Sequence, residues 1–521
     1  MDLCSIRRIK SLEGSYFSQR YVFILGIALS SILMIRAIGV FGSPSENLAI
    51  FSILVLISCL AKSVNFELSH PFIWFNIFFA VYSLSTPIMN MMGEYIFYPQ
   101  YSKNFDYIQL ISAQYLALLV FSLAVGPKTI SYNLSIFKRQ KYNSDLFRGS
   151  HYLLALGTII SLIYLYGIVY YGIKEKTDKI ALYNPVLALS FCWMVIICSI
   201  VTILIRNKML NKGFPIIIIL LFSSYLPLSL LAGGDRHPLF YYLLTLIITI
   251  HIFYKKIKFR YFLFVQVIGM YLSTILGAFK MFLLSDMSID SISNLLLFDY
   301  RNILLTIICS EFRTASENMA VALQAVPEQI PFLYVKPLLS DLMSTFIPTF
   351  LFPRETFETS VYWFNRTFFP NYFNTGAGVG FSLVATGYVN FGYFGIIGLF
   401  FLLGWALRKI YERTAKSLLY MIFYLCALPI FVLSIRADLA TIFSQGLKHI
   451  LSSILIMIVI GKFTTARGAS VLPTGPKREK RRSGFHPQEV GRKVKELPPG
   501  QRRRRGSKHF PHYLYRGQGH G

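Results

Sequence analysis

The sequence predicts an all-α, polytopic integral membrane protein, and three observations lead to this prediction. Of the 521 residues, 55% are hydrophobic and only 14% are charged, against about a quarter charged in ordinary soluble domains. The mean hydropathy is +0.54. Long apolar runs recur along the chain, and each must be helical because backbone polar groups cannot stay unpaired in lipid. This composition excludes a soluble globular enzyme, a disordered chain and a nucleic-acid-binding domain.

Twelve apolar segments are candidate membrane spans, with the second and the eighth shorter than the rest. A helix needs roughly 20 apolar residues to cross the hydrocarbon core. The first segment is not followed by a small-residue cleavage site, so we interpret it as a retained helix and not as a signal peptide. The segments cover residues 21–41, 47–61, 71–92, 107–126, 151–172, 185–205, 214–232, 238–254, 261–285, 381–407, 417–434 and 447–461.

Lysine and arginine are distributed unevenly between alternate loops. With the N-terminus in the cytoplasm, the loops on that side hold 21 of these residues and the short loops on the other side hold 6. Because short cytoplasmic loops carry an excess of positive charge, both termini are predicted to be cytoplasmic. The same bias accounts for much of the formal net charge of +27 without a nucleic-acid partner.

Two regions depart from the short-loop pattern. Residues 286–380 form a long outer-face loop with five basic and nine acidic residues, and prolines interrupt its apolar stretches, which fits interfacial or re-entrant helices. Residues 462–521 hold 16 of the 51 Lys and Arg and are predicted to be a disordered cytoplasmic tail; a gene junction or shifted reading frame is the alternative explanation of that tail. Spans one to nine then occupy 1–285, and spans ten to twelve occupy 381–461.

The six cysteines and nine histidines indicate neither a metal site nor a cofactor. No cysteine pair has CxxC spacing, and four cysteines lie in strongly apolar segments, where cysteine usually acts as a small buried hydrophobe. The histidines show no zinc-ligand spacing and no Ser-His-Asp pattern.

The first candidate site is the motif Gly233-Gly-Asp-Arg-His-Pro238, at the outer junction of spans seven and eight. Paired glycines allow a close backbone approach to a ligand, and Asp235, Arg236 and His237 are three polar groups in succession where the chain re-enters the membrane. We interpret Arg236 as an anion ligand. The alternative is a tight helical hairpin with an arginine that reaches the membrane surface.

The second candidate site is in the long loop, at Arg301, Glu311 and Arg313. Guanidinium groups suit phosphate recognition because they stay charged and offer paired donors. Arg313 could instead pair with Glu317 at i,i+4 spacing. Glu311 has no such basic partner, so it is a candidate base or a partner for a distant arginine.

The third candidate site comprises Arg366 and the glycines of Asn374-Thr-Gly-Ala-Gly-Val-Gly-Phe-Ser382. The glycine spacing is loosely like a phosphate loop but follows no strand and lacks the Lys-Ser/Thr pair, so we reject a nucleotide site. Lys280, inside span nine, is a further candidate, because charges within spans are costly and often functional; a side chain that extends to the interface is the alternative.

Several of these motifs resemble those of Wzy-type oligosaccharide repeat-unit polymerases. The resemblance covers about residues 230–410, and the earlier part of the chain is similar in topology only. Two departures occur: Thr386 stands where related chains often have Glu, and Arg366 does not match the arginine-to-glycine spacing of some polymerases. The motifs, in order, are Gly233-Gly-Asp-Arg-His-Pro-Leu239, Ser310-Glu-Phe-Arg313, Pro327 to Pro331, Ile347-Pro348, Phe352-Pro353, Trp363, Gly378-Val-Gly-Phe-Ser382, Gly387-Tyr-Val-Asn-Phe-Gly-Tyr-Phe-Gly395 and Gly404.

The resemblance implies a GT-C-like polymerase that joins undecaprenyl-diphosphate-linked repeat units into O-antigen or capsular polysaccharide at the outer face of the bacterial inner membrane. It implies partners in the lipid-linked oligosaccharides, the bilayer and a chain-length regulator, and it requires no metal or nucleotide sugar. The implied roles are catalysis by Arg236, Glu311, Asp235 and His237, and substrate binding by Arg301, Arg313, Arg366 and Lys280. An O-antigen ligase and a flippase or other transporter are the alternative classes.

Overall fold

The computed structural model describes residues 3–39, 43–92, 105–130, 132, 143–171, 183–209, 237–284, 307, 311–347, 358–370, 373 and 380–470. Within these ranges the regular structure is helical, with no β-strand. The all-α prediction is confirmed.

Eight described helices precede the long loop, and each one contains most of one predicted apolar run. They are α1 (Leu3–Ile38), α2 (Ser43–Ser63), α3 (Pro71–Met91), α4 (Tyr107–Val125), α5 (Asn143–Tyr171), α6 (Tyr183–Met209), α7 (His237–Phe253) and α8 (Phe259–Leu284).

Shorter helices alternate with longer ones in the remainder of the described chain. A 3₁₀ turn (Glu311–Arg313) leads into the next helix, and a π-helical turn (Ser444–Leu451) precedes the last. The helices are α9 (Thr314–Ala325), α10 (Val335–Phe346), α11 (Ser360–Phe368), α12 (Leu383–Thr414), α13 (Leu418–Leu433), α14 (Leu439–Phe443) and α15 (Ser452–Ser470).

Six of the described helical stretches are long and apolar enough to cross a membrane, and the prediction of a multi-pass membrane protein is confirmed. Three shorter apolar helices accompany them. The count of twelve stays a prediction, and the seventh predicted span, 214–232, lies outside the described residues. The six stretches are Ser18–Ile38, Ser45–Ser63, Pro71–Met91, Tyr107–Val125, Leu383–Thr414 and Leu439–Phe463.

Some helix ends differ from the predicted spans because polar residues continue a helix beyond its apolar part. Helix α1 begins at Leu3, well before the apolar run, and α2 is a full 21 residues with Glu46 in its first turn. An acidic residue there is favourable because the N-terminal end of a helix is partially positive. Helix α15 extends to Ser470, past the predicted end of span twelve at residue 461.

Helices α3, α4 and α12 meet in an aromatic core. The Phe75 and Phe121 rings stack at 3.7 Å between centroids, and Phe400 meets Phe75 edge-on at 6.4 Å. Gly404 brings α12 close to α4, since a Cβ at this position would lie 2.8 Å from the Phe121 carbonyl oxygen. Small residues at such crossings allow close backbone packing where lipid provides little hydrophobic driving force.

Helix α12 is broken inside its apolar length. Phe391 and Gly392 depart from helical geometry, and Gly392 has a φ of +61°, which glycine adopts easily. The loop chain fills the break: the Leu333 N–H donates to the Val389 carbonyl at 2.9 Å, and the Tyr334 N–H donates to that of Asn390 at 3.1 Å. The freed backbone groups are therefore satisfied by protein, as irregular backbone at membrane depth requires.

One end of the helix bundle carries a polar network that joins two turns. The Glu67 carboxylate contacts His251 Nε2 at 2.6 Å and Lys256 Nζ at 2.9 Å. Burial alone would raise the pKa of Glu67, but the hydrogen bonds and charges of these two partners lower it to about 2. The turn before α3 is thus fastened to the turn between α7 and α8, two loops that the charge bias assigns to the same side.

Glu67→Gln is expected to destabilise the protein by about 2 kcal/mol, because it removes a carboxylate that accepts charge-assisted hydrogen bonds. A depressed carboxyl pKa contributes stability that is complete above the usual value of 4.5 and is lost as the pH falls toward 2. The difference in unfolding temperature from wild type, measured in detergent, should therefore be full at neutral pH and shrink in acid.

Glu412→Gln is the matched control for this prediction. Glu412 pairs with Arg408 at 3.1 Å in an i,i+4 arrangement on an accessible surface, which is worth roughly 0.5 kcal/mol or less. Equal unfolding temperatures for the two variants would contradict the assignment of Glu67 as a structural tie.

Candidate active-site cleft

A cleft of about 290 Å³ opens at the other end of the bundle from the Glu67 network. On α7 the cleft residue Tyr241 lies ten positions before His251, about 15 Å along the helix axis. The cleft is lined by the end of α13, by the two residues Gly380 and Phe381 just before α12, and by side chains of α11 and α14. The apolar lining residues are Val361, Phe381, Ile430, Leu433, Ala437 and Ile442, and the polar ones are Tyr241, Arg436, Asp438 and Thr441.

The lining combines an apolar wall with one cation and one carboxyl group. A volume of this size is at the lower end of small-molecule sites. The cleft is open on one side, so it can hold the end of a larger molecule. Its chemistry suits a ligand that is both anionic and apolar.

Arg436 is placed by the turn that follows α13. The backbone N–H of Arg436 donates to the Leu433 carbonyl at 2.8 Å, and the backbone carbonyl of Ser434 accepts from the Leu383 N–H at 3.2 Å. This second bond ties the turn to the start of α12. Gly380 lies against the turn, since a Cβ there would be 3.4 Å from the Arg436 carbonyl oxygen.

Asp438 lies two residues beyond Arg436 and is the N-cap residue of α14. Its Oδ1 accepts a hydrogen bond from the Thr441 N–H at 3.2 Å, and the residue is only 4% exposed. Burial raises the pKa of Asp438. The carboxyl group therefore lies in the cleft lining in a position where its charged form is less favoured than in water.

Asp341, on α10, is a second buried carboxyl behind Asp438. The N–H and the Oγ–H of Ser360 both donate to it, at 2.9 and 2.8 Å, and it is fully buried. Burial, and next the charge of Asp438, raise the pKa of Asp341 to about 7. Ser360 begins α11, so this carboxyl also fastens α11 to α10.

Helix α9 connects the cleft to the membrane helices. The side-chain amide of Asn318 donates a hydrogen bond to the Gly380 carbonyl. The Ser316 hydroxyl is hydrogen-bonded to two hydroxyl groups on α3, that of Ser85 at 3.0 Å and that of Thr86. The helix that directly follows the Ser310-Glu-Phe-Arg313 motif is therefore held between the cleft and α3.

Three of the predicted site residues, Asp235, Arg236 and Arg301, lie outside the described residues. His237 is the first residue of α7, about one turn before Tyr241 of the cleft, so the last two residues of the Gly233–Pro238 motif lie in this helix. Lys280 lies in the last turns of α8, and Glu311 begins the 3₁₀ turn; the side chains of His237, Lys280 and Glu311 are outside the described part.

The other two predicted arginines each pair with a carboxylate. The Arg313 Nε lies 3.7 Å from the Glu317 Oε1, the i,i+4 pair that the sequence offered as the alternative. Arg366, which is 57% exposed, contacts Glu358. Arg313 and Arg366 therefore take part in two separate ion pairs in the described structure. Their roles in substrate binding stay predictions.

Sequence reasoning did not select Arg436, Asp438 or Asp341 as site residues. Arg436 is one of the six lysines and arginines in the short loops that the charge bias assigns to the outer face, and this position was the available signal. Asp438 precedes Thr441 in a helix-capping pattern that predicts only a structural role. Asp341 and Ser360 are 19 residues apart, and no local pattern indicates that they meet. Within the described ranges, no group of three or more His, Cys, Asp or Glu could hold a metal ion.

The fold and the cleft define a helical, multi-pass membrane protein with an arginine-bearing, partly apolar site at one end of its bundle. The family model of the O-antigen polysaccharide polymerase Wzy matches residues 20–467, and the chain belongs to this family. The resemblance seen in the sequence is thereby confirmed, and the polymerase reading is favoured over the ligase and transporter classes. No curated protein and no solved structure gives a significant match to the chain.

Proposed function

We propose that this protein joins undecaprenyl-diphosphate-linked oligosaccharide repeat units into O-antigen or capsular polysaccharide at the outer face of the bacterial inner membrane. The observation that carries the proposal is the cleft, which combines Arg436 with apolar walls in a chain of the O-antigen polymerase family. A lipid-linked diphosphate has this same combination of anionic and apolar parts.

Arg436 is the proposed ligand of the donor diphosphate. Guanidinium presents paired donors to phosphate oxygens and stays charged at any physiological pH. The adjacent side chains of Leu433 and Ile430 would contact the first isoprene units of the lipid. The diphosphate becomes the leaving group of the reaction, so a fixed cation beside it stabilises the charge that develops in the transition state.

The outer-face location is supported by the distribution of charge over the fold. The loops that the charge bias assigns to the cytoplasm include the Glu67 network, and the cleft lies at the other end of α7. Both the donor and the acceptor are tethered to lipid, so a site at the membrane surface can receive both of them. A chain-length regulator is a proposed partner at the same face.

The motif residues near the cleft have proposed roles in the same reaction. Arg236 and Asp235 immediately precede His237 at the start of α7, where they can assist Arg436 with the diphosphate. Arg301, Arg313, Arg366 and Lys280 are proposed to bind the glycan or the lipid head group. Glu311 remains a candidate partner for one of these cations.

Deletion of the gene tests the proposed function and separates it from ligation. In a strain that lacks the gene, the surface glycan should carry single repeat units in place of long chains, and the full-length wild-type gene should restore the long chains on a gel. A ligase deletion would instead leave no glycan attached, and a flippase deletion would leave repeat units on the cytoplasmic side. Either of these outcomes would refute the polymerase assignment.

A further inference from the structure

We propose that Asp438 accepts the proton of the acceptor hydroxyl during polymerisation and that Asp341 is a positioning residue that acts through it. This inference rests on the proposed polymerase function and adds the base to it. The juxtaposition that carries it is a buried pair of carboxyl groups, one of which lines the cleft beside Arg436.

Asp438 has the position that the base requires. It lines the same cleft as Arg436 and follows Arg436 by two residues in the same turn. Since Arg436 is the proposed diphosphate ligand, an acceptor hydroxyl that attacks the carbon next to the diphosphate has to enter close to Asp438. A base must lie within hydrogen-bond reach of the proton that it removes.

Asp341 does not line the cleft, but it is fixed against the element that carries Asp438. The two hydrogen bonds from Ser360 set the direction of its carboxyl group. One turn along α10, the Thr345 hydroxyl lies 3.4 Å from the Ala440 carbonyl oxygen, which joins α10 to α14. Two carboxyl groups held in this way repel each other when both are charged.

The charges around the pair favour one shared negative charge near neutral pH. The pKa of Asp341 is raised to about 7 by burial and by Asp438. Below that pH the two carboxyl groups share one proton, and Asp438 is ionised in every molecule only after this proton has left the pair. Lys448 approaches α10 with its Nζ 3.4 Å from the Ser344 carbonyl oxygen. The charged or titratable residues on and beside the elements packed around the pair include Arg436, Tyr241, Lys336, Lys448, His449, Glu358, Tyr362 and Arg366.

The proposed step is balanced. The acceptor hydroxyl oxygen forms a bond to the anomeric carbon of the donor glycan, and the bond from that carbon to the diphosphate oxygen breaks. Undecaprenyl diphosphate leaves with the electron pair, held by Arg436. The hydroxyl proton moves to the Asp438 carboxylate and then to solvent, so no oxidant, reductant or further reactant is needed.

A purely structural role for both aspartates is the competing explanation. Asp438 caps α14, and Asp341 anchors α11. A structural role predicts lower protein levels or lower stability in the variants, with an unchanged dependence of the remaining activity on pH. A role in proton transfer predicts that the pH dependence itself moves.

The test uses the full-length protein in membrane vesicles, supplied with lipid-linked repeat units extracted from a strain without the polymerase gene. Chain formation is measured between about pH 5 and pH 9. Wild type should lose activity in acid. Asp438→Asn should lower the rate about 100-fold or more, within the usual range for loss of a general base.

The acid limb of the pH profile is the pH range over which activity is lost on acidification. Two further variants should shift this limb in opposite directions. Asp341→Asn removes the neighbouring charge, which lowers the apparent pKa of the remaining carboxyl and moves the limb to lower pH. Ser360→Ala removes a hydrogen bond that lowers the pKa of Asp341, and so it moves the limb to higher pH. Asp106→Asn is the control: Asp106 caps α4 by accepting a 2.9 Å bond from the Ile108 N–H, it is not among the residues that line the cleft, and its replacement should leave rate and pH profile unchanged.

The outcomes separate this inference from the proposed function. If wild type forms no polymer under any condition, the polymerase function itself is refuted, and this inference with it. If wild type polymerises while Asp438→Asn matches Asp106→Asn, or while neither Asp341→Asn nor Ser360→Ala moves the acid limb, only the assignment of the base is overturned.

Discussion

Arg436→Ala is expected to abolish long glycan chains while single repeat units still reach the surface. The loss should be about 100-fold or more in rate, because one fixed donor to a developing charge in a transition state is commonly worth that much. Arg436→Lys keeps the charge but not the paired donors, and should recover only part of the activity. The measurement is the glycan ladder on a gel, normalised to the amount of protein in the membrane.

Arg413→Ala is the matched control for Arg436. Arg413 lies in the last turn of α12, where its guanidinium donates to the Tyr420 hydroxyl at 2.8 Å, at the opposite end of α12 and α13 from the cleft. The control should make chains of normal length. Normal chains in Arg436→Ala at a normal protein level would remove Arg436 from the site and leave the proposed function without its main support.

Gly395→Ala is expected to destabilise the protein severely. A Cβ on Gly395 would lie 2.8 Å from the carbonyl carbon of Gly387 and closer still to its oxygen. Both partners are backbone, so neither can move without opening the break in α12. Overpacking of this kind typically costs about 1–3 kcal/mol or more, and the yield of monodisperse protein in detergent should fall sharply.

Gly398→Ala is the control on the same helix. A Cβ at Gly398 would meet no atom within 4 Å, and alanine is about 1 kcal/mol better than glycine inside a helix. This variant should be neutral or slightly more stable than wild type. If the two alanine variants behave alike, the contact between Gly387 and Gly395 is not important for the fold.

Local signals predicted most of the described helices. Pro71 and Tyr107 begin α3 and α4 where the apolar runs begin, and His70 and Asp106 cap these helices with side-chain acceptors. The polar start of α2, around Glu46, was not recognised as helix because hydropathy alone set the predicted limits. Segments of strong and continuous hydropathy are thus predictable, while polar continuations depend on capping.

The site was less predictable because its residues meet only through the fold. Asp341 and Asp438 are nearly a hundred positions apart. Each also has a structural role, in anchoring α11 or capping α14, that would explain the residue without a function. The Gly233–Pro238 motif ends in the first turn of α7, the helix that carries Tyr241 of the cleft, and its role stays a prediction. Of the arginines predicted in the long loop, Arg313 and Arg366 have nearby carboxylates as partners, and sequence spacing indicated this for Arg313 only.

The two hydrogen bonds at the break in α12 have a consequence for how relatives of this chain can diverge. Tyr334 and Asn390 are joined by a 3.1 Å bond between backbone groups, so the chain closes a loop between these two residues. Closing a longer excursion costs little extra free energy, and backbone bonds place no demand on side chains. We therefore expect length changes in the connections of this loop to be tolerated as long as α10 and α11, which are joined by Asp341 and Ser360, keep their places, so that one membrane scaffold can carry loops of several lengths.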